Sequence, residues 1–414
     1  MDNFFEKTTG SKIGCAYKWG WSTIRLKQGK TSSCHRTSND PITSETFDNF
    51  HNTPIKIETR QKMLANKWPD QGCQYCEQIE NAGGISDRND ANQDFVGKRV
   101  PPELLANPTA THISPTMVEV YFSNLCNMSC IYCSDEYSTV WEHENRKFNE
   151  PFKRTEVLFN DTEYAKIVDK FFTWLDLNIG SLAELNVLGG EPFIMPEFDM
   201  MVDFFESHPN PDLKVSVFSN LKVPKEKFAD KLRQLESFVT RGMLKQVEIV
   251  ASLDCWAEQQ EYIRTGLSLT QWEENFSYMI RNHKKIKTHV HSTITGLTIH
   301  TIPELIEKIN YYNTFREDNS QERIGHSKNF VVYPRCLSPK IFPAGFFDKE
   351  FDQIFSVIKQ DKHLKVMQGY KKTIDLGEYN PALIKELKAY LDKLDSRRNT
   401  NWKLLFPWLD QFEC

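Results

Sequence analysis

The sequence predicts an α/β fold built around a partial, TIM-like (β/α)6 barrel. From about residue 115 onward, short β-branched runs alternate with amphipathic stretches, as in parallel strands that are joined by helices. Six such units are fewer than the eight of a closed barrel, so we expect an open barrel with its chemistry at the carboxyl ends of the strands. A small cysteine-rich part precedes this region and a helical extension follows it.

The predicted elements divide the chain into three parts, at residues 1–112, 113–345 and 346–414. In the middle part, the predicted strands are 117–122, 184–188, 214–218, 246–253, 289–295 and 329–333. The predicted helices between them are 161–177, 197–207, 225–239, 269–282 and 302–312. The first part is irregular, with a strand-like piece at 22–26 and a helix at 57–66, and the clearest C-terminal helix is 381–394.

Composition limits the class of protein. A chain of 414 residues with 39% hydrophobic and 26% charged residues is typical of a globular protein. The net charge of −5 argues against an extended nucleic-acid footprint. No apolar run approaches the roughly 20 residues of a membrane span, and the first residues lack the pattern of a secretory signal. We therefore expect a cytoplasmic protein without a membrane anchor.

Seven of the ten cysteines form two groups within the first 133 residues. In a reducing compartment, clustered cysteines more often bind metal than form disulfides. Cys126, Cys130 and Cys133 have C-x3-C-x2-C spacing in a loop after the first barrel strand. Three thiolates on one loop can bind three corners of a [4Fe–4S] cluster and leave one iron open. The alternative is a zinc site, which would need a fourth ligand; His143 is ten residues away.

This three-cysteine loop, with the aromatic Tyr132 before its last cysteine, resembles the radical SAM superfamily. The resemblance implies a SAM-binding [4Fe–4S] cluster that reduces S-adenosylmethionine (SAM), with Tyr132 among the cofactor-binding residues. It also implies a radical SAM barrel over about residues 115–340 and a flavodoxin- or ferredoxin-like electron donor.

The ends of the next two strands resemble the same superfamily. The second strand runs into Gly189, Gly190 and Glu191, and a Gly-Gly-Glu segment at this place implies binding of the methionyl amine of SAM. Glycines allow close backbone approach, and a carboxylate attracts an ammonium group. The third strand ends in Ser219 and Asn220, whose implied role is to reach the ribose or carboxylate of SAM. Taken singly, each segment could be an ordinary turn.

The fourth strand ends in Ser-Leu-Asp, followed by Ile-Arg-Thr-Gly. This resembles the Ser-x-Asp and Ile-Arg-x-Gly pattern of superfamily members that modify peptides and related substrates. The likeness implies that Ser252 contacts the ribose and that Arg264 binds the methionyl carboxylate with its planar fork. Asp254 is the residue expected to face the substrate.

A second cysteine group comprises Cys15, Cys34, Cys73 and Cys76. The spacing around Gly29, with the later C-x2-C pair, resembles the auxiliary-cluster module called SPASM or, in its shorter form, twitch. That module usually follows the barrel, whereas here it precedes it. The resemblance implies a second iron–sulfur cluster, [4Fe–4S] in type, while a structural zinc on four thiolates is the alternative.

The expected reaction starts with reductive cleavage of SAM to a 5′-deoxyadenosyl radical, which abstracts a hydrogen atom from the substrate. Oxidative modification of a peptide is the first interpretation. The alternatives are dehydrogenation or epimerisation of a small sugar- or nucleotide-like molecule, and a zinc-thiolate scaffold without turnover. Cys336, expected at the mouth of the barrel, is either a hydrogen-atom donor to the substrate radical or a small apolar residue.

Overall fold

The computed structural model describes residues 4–37, 39–81, 83–151, 158–315 and 324–412. Within these ranges the chain is α/β, with a mostly parallel sheet and a helical C-terminal region, and the predicted fold class is confirmed. The described strands are β1 (Trp21–Arg25), β2 (Lys30–Ser32), β3 (Asp40–Pro41), β4 (Met117–Tyr121), β5 (Glu184–Leu188), β6 (Asn210–Ser219), β7 (Leu244–Ser252), β8 (Lys287–Ile294) and β9 (Ile324–Phe330). Their order in the sheet is β3-β2-β1-β4-β5-β6-β7-β8-β9.

The described α-helices are α1 (Phe4–Thr9), α2 (Ala16–Gly20), α3 (Pro54–Leu64), α4 (Gln74–Asn81), α5 (Asp87–Asp94), α6 (Pro102–Ala106), α7 (Thr139–Lys147), α8 (Asp161–Asn178), α9 (Pro196–Ser207), α10 (Lys225–Thr240), α11 (Ala257–Ile263), α12 (Leu269–Asn282), α13 (Ile302–Asn313), α14 (Asp348–Val357), α15 (Asp361–Asp375), α16 (Pro381–Arg398) and α17 (Trp402–Leu405). None of the helices in the described ranges combines the length and the apolar character that crossing a bilayer requires.

The six predicted barrel strands are present in chain order as β4 to β9. Strands β4, β5 and β6 pair in parallel, and β8 pairs in parallel with β9. Periodicity explains why these elements could be predicted. Helix α8 begins at Asn160, whose side chain accepts a hydrogen bond from Glu163 N, and it buries Ile167, Phe171 and Leu175 at four-residue intervals.

Two parts of the fold differ from the sequence prediction. The N-terminal part is more regular than expected: β1 pairs in parallel with β4, with Trp21 opposite Met117, and it also pairs antiparallel with β2. Strand β9 covers Ile324–Phe330 and not 329–333. Its Gly-His-Ser-Lys-Asn stretch lacks the β-branched residues that mark a strand in sequence, and pairing with β8 determines it instead.

The described chain divides into two compact units. Unit 1 comprises residues 1–125, 154–218 and 234–248, and unit 2 comprises residues 126–153, 219–233 and 249–414. These units do not coincide with the expected boundaries at 112 and 345. In unit 1, Cys15 and Cys73 belong to a buried cluster with Phe5 and Trp19.

Unit 2 has a hydrophobic core to which the C-terminal helices contribute, among them Leu387 and Leu391 of α16. Ile131 and Trp141, which lie in and just after the cysteine loop, are buried in the same core. The expected helical extension and the expected loop thus share one hydrophobic core.

Candidate functional site

The three-cysteine loop lies in unit 2, between the end of β4 and the start of α7. Helix α7 holds its middle section. Ser138 caps α7 by accepting a hydrogen bond from Trp141 N, and its hydroxyl donates to Met128 O at 2.6 Å. The Trp141 indole N–H donates to Cys130 O at 2.8 Å. The helix that follows the loop therefore fixes two of the loop's backbone carbonyls.

A second segment holds the opposite side of the loop backbone. Ser129 N donates to Thr265 O at 3.0 Å, and Ile131 N donates to Ile263 O at 2.9 Å. The Tyr390 hydroxyl of α16 donates to Ile131 O at 2.6 Å. Sequence reasoning missed Tyr390, because nothing in the pattern of α16 distinguishes it from an ordinary half-buried tyrosine.

The three thiols lie close enough to affect one another. Burial raises the pKa of Cys130 and of Cys133, and the neighbouring Cys130 and Cys126 raise that of Cys133 further. Arg264 opposes these shifts, and a bound metal would supply the further positive charge that thiolates need. The loop thus has the chemistry of a metal-binding thiol group.

The arrangement of the thiols does not match a single-ion site. Among the residues that the structure describes, no three or more His, Cys, Asp or Glu side chains are grouped as ligands of one metal ion. His143 therefore does not complete a group of this kind with the three thiols. A structural zinc normally has four protein ligands, so the described side chains do not form a structural zinc site here.

Asp254 and Arg264, predicted as separate site residues, form a buried ion pair. The Arg264 guanidinium donates two hydrogen bonds to the Asp254 carboxylate, both at 2.9 Å. Asp254 also accepts from the Tyr132 hydroxyl at 2.6 Å and from Thr293 N at 2.8 Å. Burial alone would lower the pKa of Arg264, but Asp254 raises it above its ordinary value. This pair connects the aromatic residue of the cysteine loop to the end of β7.

The burial of Asp254 bears on its expected role. Its side chain is 0% exposed, and Arg264 is 7% exposed. A carboxylate that accepts four hydrogen bonds from three groups at this depth is placed to position its neighbours. Ser252, which is also predicted as a site residue, is half-buried and is the last residue of β7.

The segment after β6 contacts the cysteine loop through Asn127. Asn220 Nδ2 donates to Asn127 Oδ1 at 2.9 Å, and Asn127 Nδ2 donates to Lys222 O at 2.7 Å. The Lys222 ammonium donates to Asn127 O at 3.0 Å. Ser219 accepts a hydrogen bond from Leu221 N at 3.0 Å and shapes the turn. Sequence reasoning missed Asn127 and Lys222, although both lie within two residues of predicted site residues.

The Gly-Gly-Glu segment belongs to unit 1. Gly189 has φ +136, and a Cβ there would lie 2.9 Å from Ser123 O, so this position requires glycine. Gly190 N donates to Ser123 O at 3.1 Å, and Glu191 N donates to Leu125 O at 2.9 Å. The Glu191 side chain is fully buried and accepts from Phe193 N at 3.2 Å. The segment is thus tied to the residues that directly precede Cys126 in the chain.

Cys336 lies in a short 3-10 helix, Arg335–Leu337, and is 1% exposed. Its neighbours are the apolar residues of the unit 2 core. This burial supports the interpretation of Cys336 as a small apolar residue over a hydrogen-atom donor. Cys414, the last residue, lies outside the described residues.

The second cysteine group lies in unit 1. Cys15 precedes α2, Cys34 follows β2, and Cys73 and Cys76 lie at the start of α4. Burial raises the pKa of Cys15 to about 12, Lys18 opposes this shift, and Cys34 and Cys73 add to it. Burial likewise raises the pKa of Cys73, to which Cys34 and Cys76 contribute. These interactions place the four thiols in one neighbourhood, but no three of them are grouped as ligands of one metal ion in the part of the chain that the structure describes.

Gly29 lies in the turn between β1 and β2, as its expected hairpin role requires. It has φ +60, and a Cβ there would lie 2.8 Å from Ile42 O. The antiparallel pairing of Thr23 with Ser32 returns the chain toward the segment that contains Cys34.

Comparison with known proteins gives a limited result. No family model matches the chain, and no curated protein matches it. Among solved structures, the chain is similar to Streptococcus suis SuiB bound to S-adenosylmethionine, with 11% identity, a TM-score of 0.39 and coverage of 82% of this chain and 67% of SuiB. It is also similar to SuiB bound to precursor peptide SuiA, with 14% identity, a TM-score of 0.35 and coverage of 91% of this chain and 69% of SuiB. The likeness to TYW1 with a lysine-pyruvate adduct bound has 16% identity, a TM-score of 0.29 and coverage of 58% of this chain and 70% of TYW1. With TM-scores below 0.5, these likenesses carry no argument about what this chain does.

Proposed function

We propose that this chain is a radical SAM enzyme. The observation that carries the proposal is the loop of Cys126, Cys130 and Cys133, whose C-x3-C-x2-C spacing puts three thiols on one segment that backbone hydrogen bonds to Thr265 and Ile263 hold in place. Cys126, Cys130 and Cys133 would hold a [4Fe–4S] cluster and leave one iron for SAM. When bound, the cluster would supply the electron that splits SAM into methionine and a 5′-deoxyadenosyl radical.

The residues around the loop have separate tasks in this proposal. Tyr132, Asp254 and Arg264 hold the loop in one orientation through three hydrogen bonds of 2.6 to 2.9 Å. The geometry favours this positioning role for Arg264 over binding of the methionyl carboxylate, because its fork is already engaged by Asp254. Asn220 orients the loop through Asn127.

The remaining cofactor contacts are proposed from the resemblance in sequence. Gly189, Gly190 and Glu191 bind the methionyl amine, and Ser219 and Ser252 contact polar groups of the adenosyl moiety. Because a Cβ at Gly189 would lie 2.9 Å from Ser123 O, this glycine lets the end of β5 lie close to the segment that leads into Cys126.

We further propose that the four cysteines of unit 1 hold an auxiliary iron–sulfur cluster and that the substrate is a peptide, which undergoes net oxidation. The mutual electrostatic effects of the four thiols support the auxiliary site. The Ser-x-Asp and Ile-Arg-x-Gly segments support the substrate class. A flavodoxin- or ferredoxin-like protein would supply the first electron.

The test is anaerobic incubation of the iron- and sulfide-reconstituted protein with SAM and dithionite, followed by measurement of 5′-deoxyadenosine. We expect the wild type to form 5′-deoxyadenosine and Cys126→Ala to form none above background. Cys255→Ala is the matched control, since it removes a thiol of unit 2 outside the loop. Equal background levels in the wild type and Cys126→Ala would refute the proposal.

A further inference from the structure

Unit 1 contains a cavity of about 160 Å³ whose lining has a buried end and an exposed rim. Lys18 and Ser33 form the buried end, and they are 4% and 3% exposed. Glu58, Lys62 and Asp70 form the rim, where both carboxylates are exposed. The volume is below the roughly 300–1,000 Å³ of pockets that take drug-sized ligands, so an occupant of this cavity has to be small.

The rim has more negative than positive charge. Lys62 Nζ lies 2.8 Å from Glu58 Oε1 and 2.5 Å from Asp70 Oδ2, so two carboxylates share one ammonium group. The uncharged residues between them in the lining do not alter this balance. A small positive group at the rim would therefore be attracted.

Two further charged residues of the lining, Asp40 and Lys56, have partners within the protein. Asp40 accepts a hydrogen bond from the Thr53 hydroxyl. Lys56 Nζ donates three hydrogen bonds of 2.7 to 2.9 Å, to oxygen atoms of Ser22, Thr31 and Phe50. As one carboxylate and one ammonium, Asp40 and Lys56 add no net charge to the cavity.

The buried end has polar groups without a protein partner. The backbone of Lys18 is engaged, because Lys18 N donates to Cys15 O at 2.9 Å and Lys18 O accepts from Arg60 Nε at 2.7 Å. Its ammonium group forms no hydrogen bond or ion pair with any residue in the described ranges. The buried hydroxyl of Ser33 likewise has no hydrogen-bond partner there. Since buried charges and hydroxyls are normally paired, the buried end suits a small anionic group that accepts hydrogen bonds.

We propose that this cavity binds a small free α-amino acid as its zwitterion, with the carboxylate at Lys18 and Ser33 and the ammonium at Glu58 and Asp70. In glycine and alanine a single carbon separates the two charged groups, so one small molecule presents a charge to each end. The lining contains three lysines and three acidic residues, and an occupant that carries both signs and no net charge preserves this balance. A simple anion or cation would match only one end. The proposal does not depend on the proposed function, because neither SAM nor a metal takes part.

The test is isothermal titration calorimetry of the full chain with glycine and with L-alanine, in the absence of SAM, reductant and added iron. Acetate and methylammonium, each with only one of the two charges, are titrated for comparison. The variants are Lys18→Met and Asp70→Asn. Lys67→Met is the matched control, because Lys67 is an exposed lysine of unit 1 outside the lining.

We expect saturable binding of glycine or L-alanine, and weaker binding of acetate and of methylammonium. Lys18→Met should weaken the affinity for the amino acid by about tenfold or more, because it removes the charged partner of the carboxylate. Asp70→Asn should weaken it by a smaller factor, since exposed charges contribute less. Lys67→Met should leave the affinity unchanged.

Ser33→Ala separates binding from folding and serves where Lys18→Met does not fold. Removal of a buried hydroxyl that has no partner should maintain or raise the melting temperature of the free protein, whereas the lost donor should weaken amino acid binding. The proposal is overturned if neither glycine nor L-alanine binds, or if acetate binds as tightly as glycine. Wild-type affinity in both Lys18→Met and Ser33→Ala would also overturn it.

Discussion

Asp254 receives hydrogen bonds from a guanidinium, a phenol and a backbone amide, and this convergence changes how the sequence pattern is interpreted. The pattern marked Asp254 and Arg264 as site residues but assigned them to different ligands. They are ten residues apart and flank α11: Asp254 precedes the helix, and Arg264 is its C-cap. Sequence spacing marked both residues, and the three-dimensional contact shows that each is the other's partner.

Asp254→Asn tests how much this ion pair contributes to the free energy of unfolding. The substitution keeps the shape of the side chain but leaves Arg264 buried without a counter-charge. Breaking a buried pair in this way costs about 3–5 kcal/mol. We expect a loss of this size in the free energy of unfolding, measured by urea denaturation.

The matched control for that experiment is Glu206→Gln, which removes one partner of an exposed pair with Arg241. Exposed pairs contribute little, so the free energy of unfolding should barely change. If Asp254→Asn had no larger effect than Glu206→Gln, the Asp254–Arg264 pair would not stabilise the fold.

At the scale of elements, helices α7 and α16 both form hydrogen bonds to the cysteine loop. Helix α7 binds it through Ser138 and Trp141, and α16 reaches it through Tyr390. The helices are also tied to each other, because Arg398 Nε of α16 lies 3.0 Å from Glu144 Oε2 of α7. The C-terminal helix α16 thus helps to fix the backbone of the candidate metal site.

Ser138→Ala should separate helix capping from loop positioning. Loss of an N-cap serine costs about 0.5–2 kcal/mol, and here the hydroxyl that is lost also holds Met128 O. Ser268→Ala is the matched control, because Ser268 caps α12 through Gln271 N at 3.3 Å and its hydroxyl forms no hydrogen bond to the loop among the described residues. Both variants should melt at a lower temperature, and only Ser138→Ala should retain less iron after anaerobic reconstitution. Equal iron retention in the two variants would exclude this role for Ser138.

The elements also show what sequence could predict. Helix α12 and strand β5 were predicted with their observed bounds, because their apolar residues repeat at the helical and strand periods. Strand β9 was misplaced, because its central residues are polar or glycine. Parallel pairing of β1 with β4 was not predicted. The paired residues are separated by more than 90 positions in the sequence, and local sequence patterns do not indicate which distant strands pair.

For the whole molecule, each compact unit contains one cysteine group. Cys15, Cys34, Cys73 and Cys76 fall in unit 1, and Cys126, Cys130 and Cys133 fall in unit 2. The expected boundary at residue 112 follows the change in sequence texture, whereas the compact units follow packing.

Replacing Cys15, Cys34, Cys73 and Cys76 together by alanine should remove one metal centre and leave the other. Two complete [4Fe–4S] clusters correspond to about eight irons per chain with matching sulfide, and the four-alanine variant should retain about four. The variant should still form 5′-deoxyadenosine from SAM and dithionite, because the loop in unit 2 has its own backbone contacts to α7 and α16. Iron that stays at about four in both the parent and the variant, with one zinc lost, would instead identify the unit 1 site as a structural zinc. A variant that loses all its iron would show that the loop cannot hold a cluster without the cysteines of unit 1.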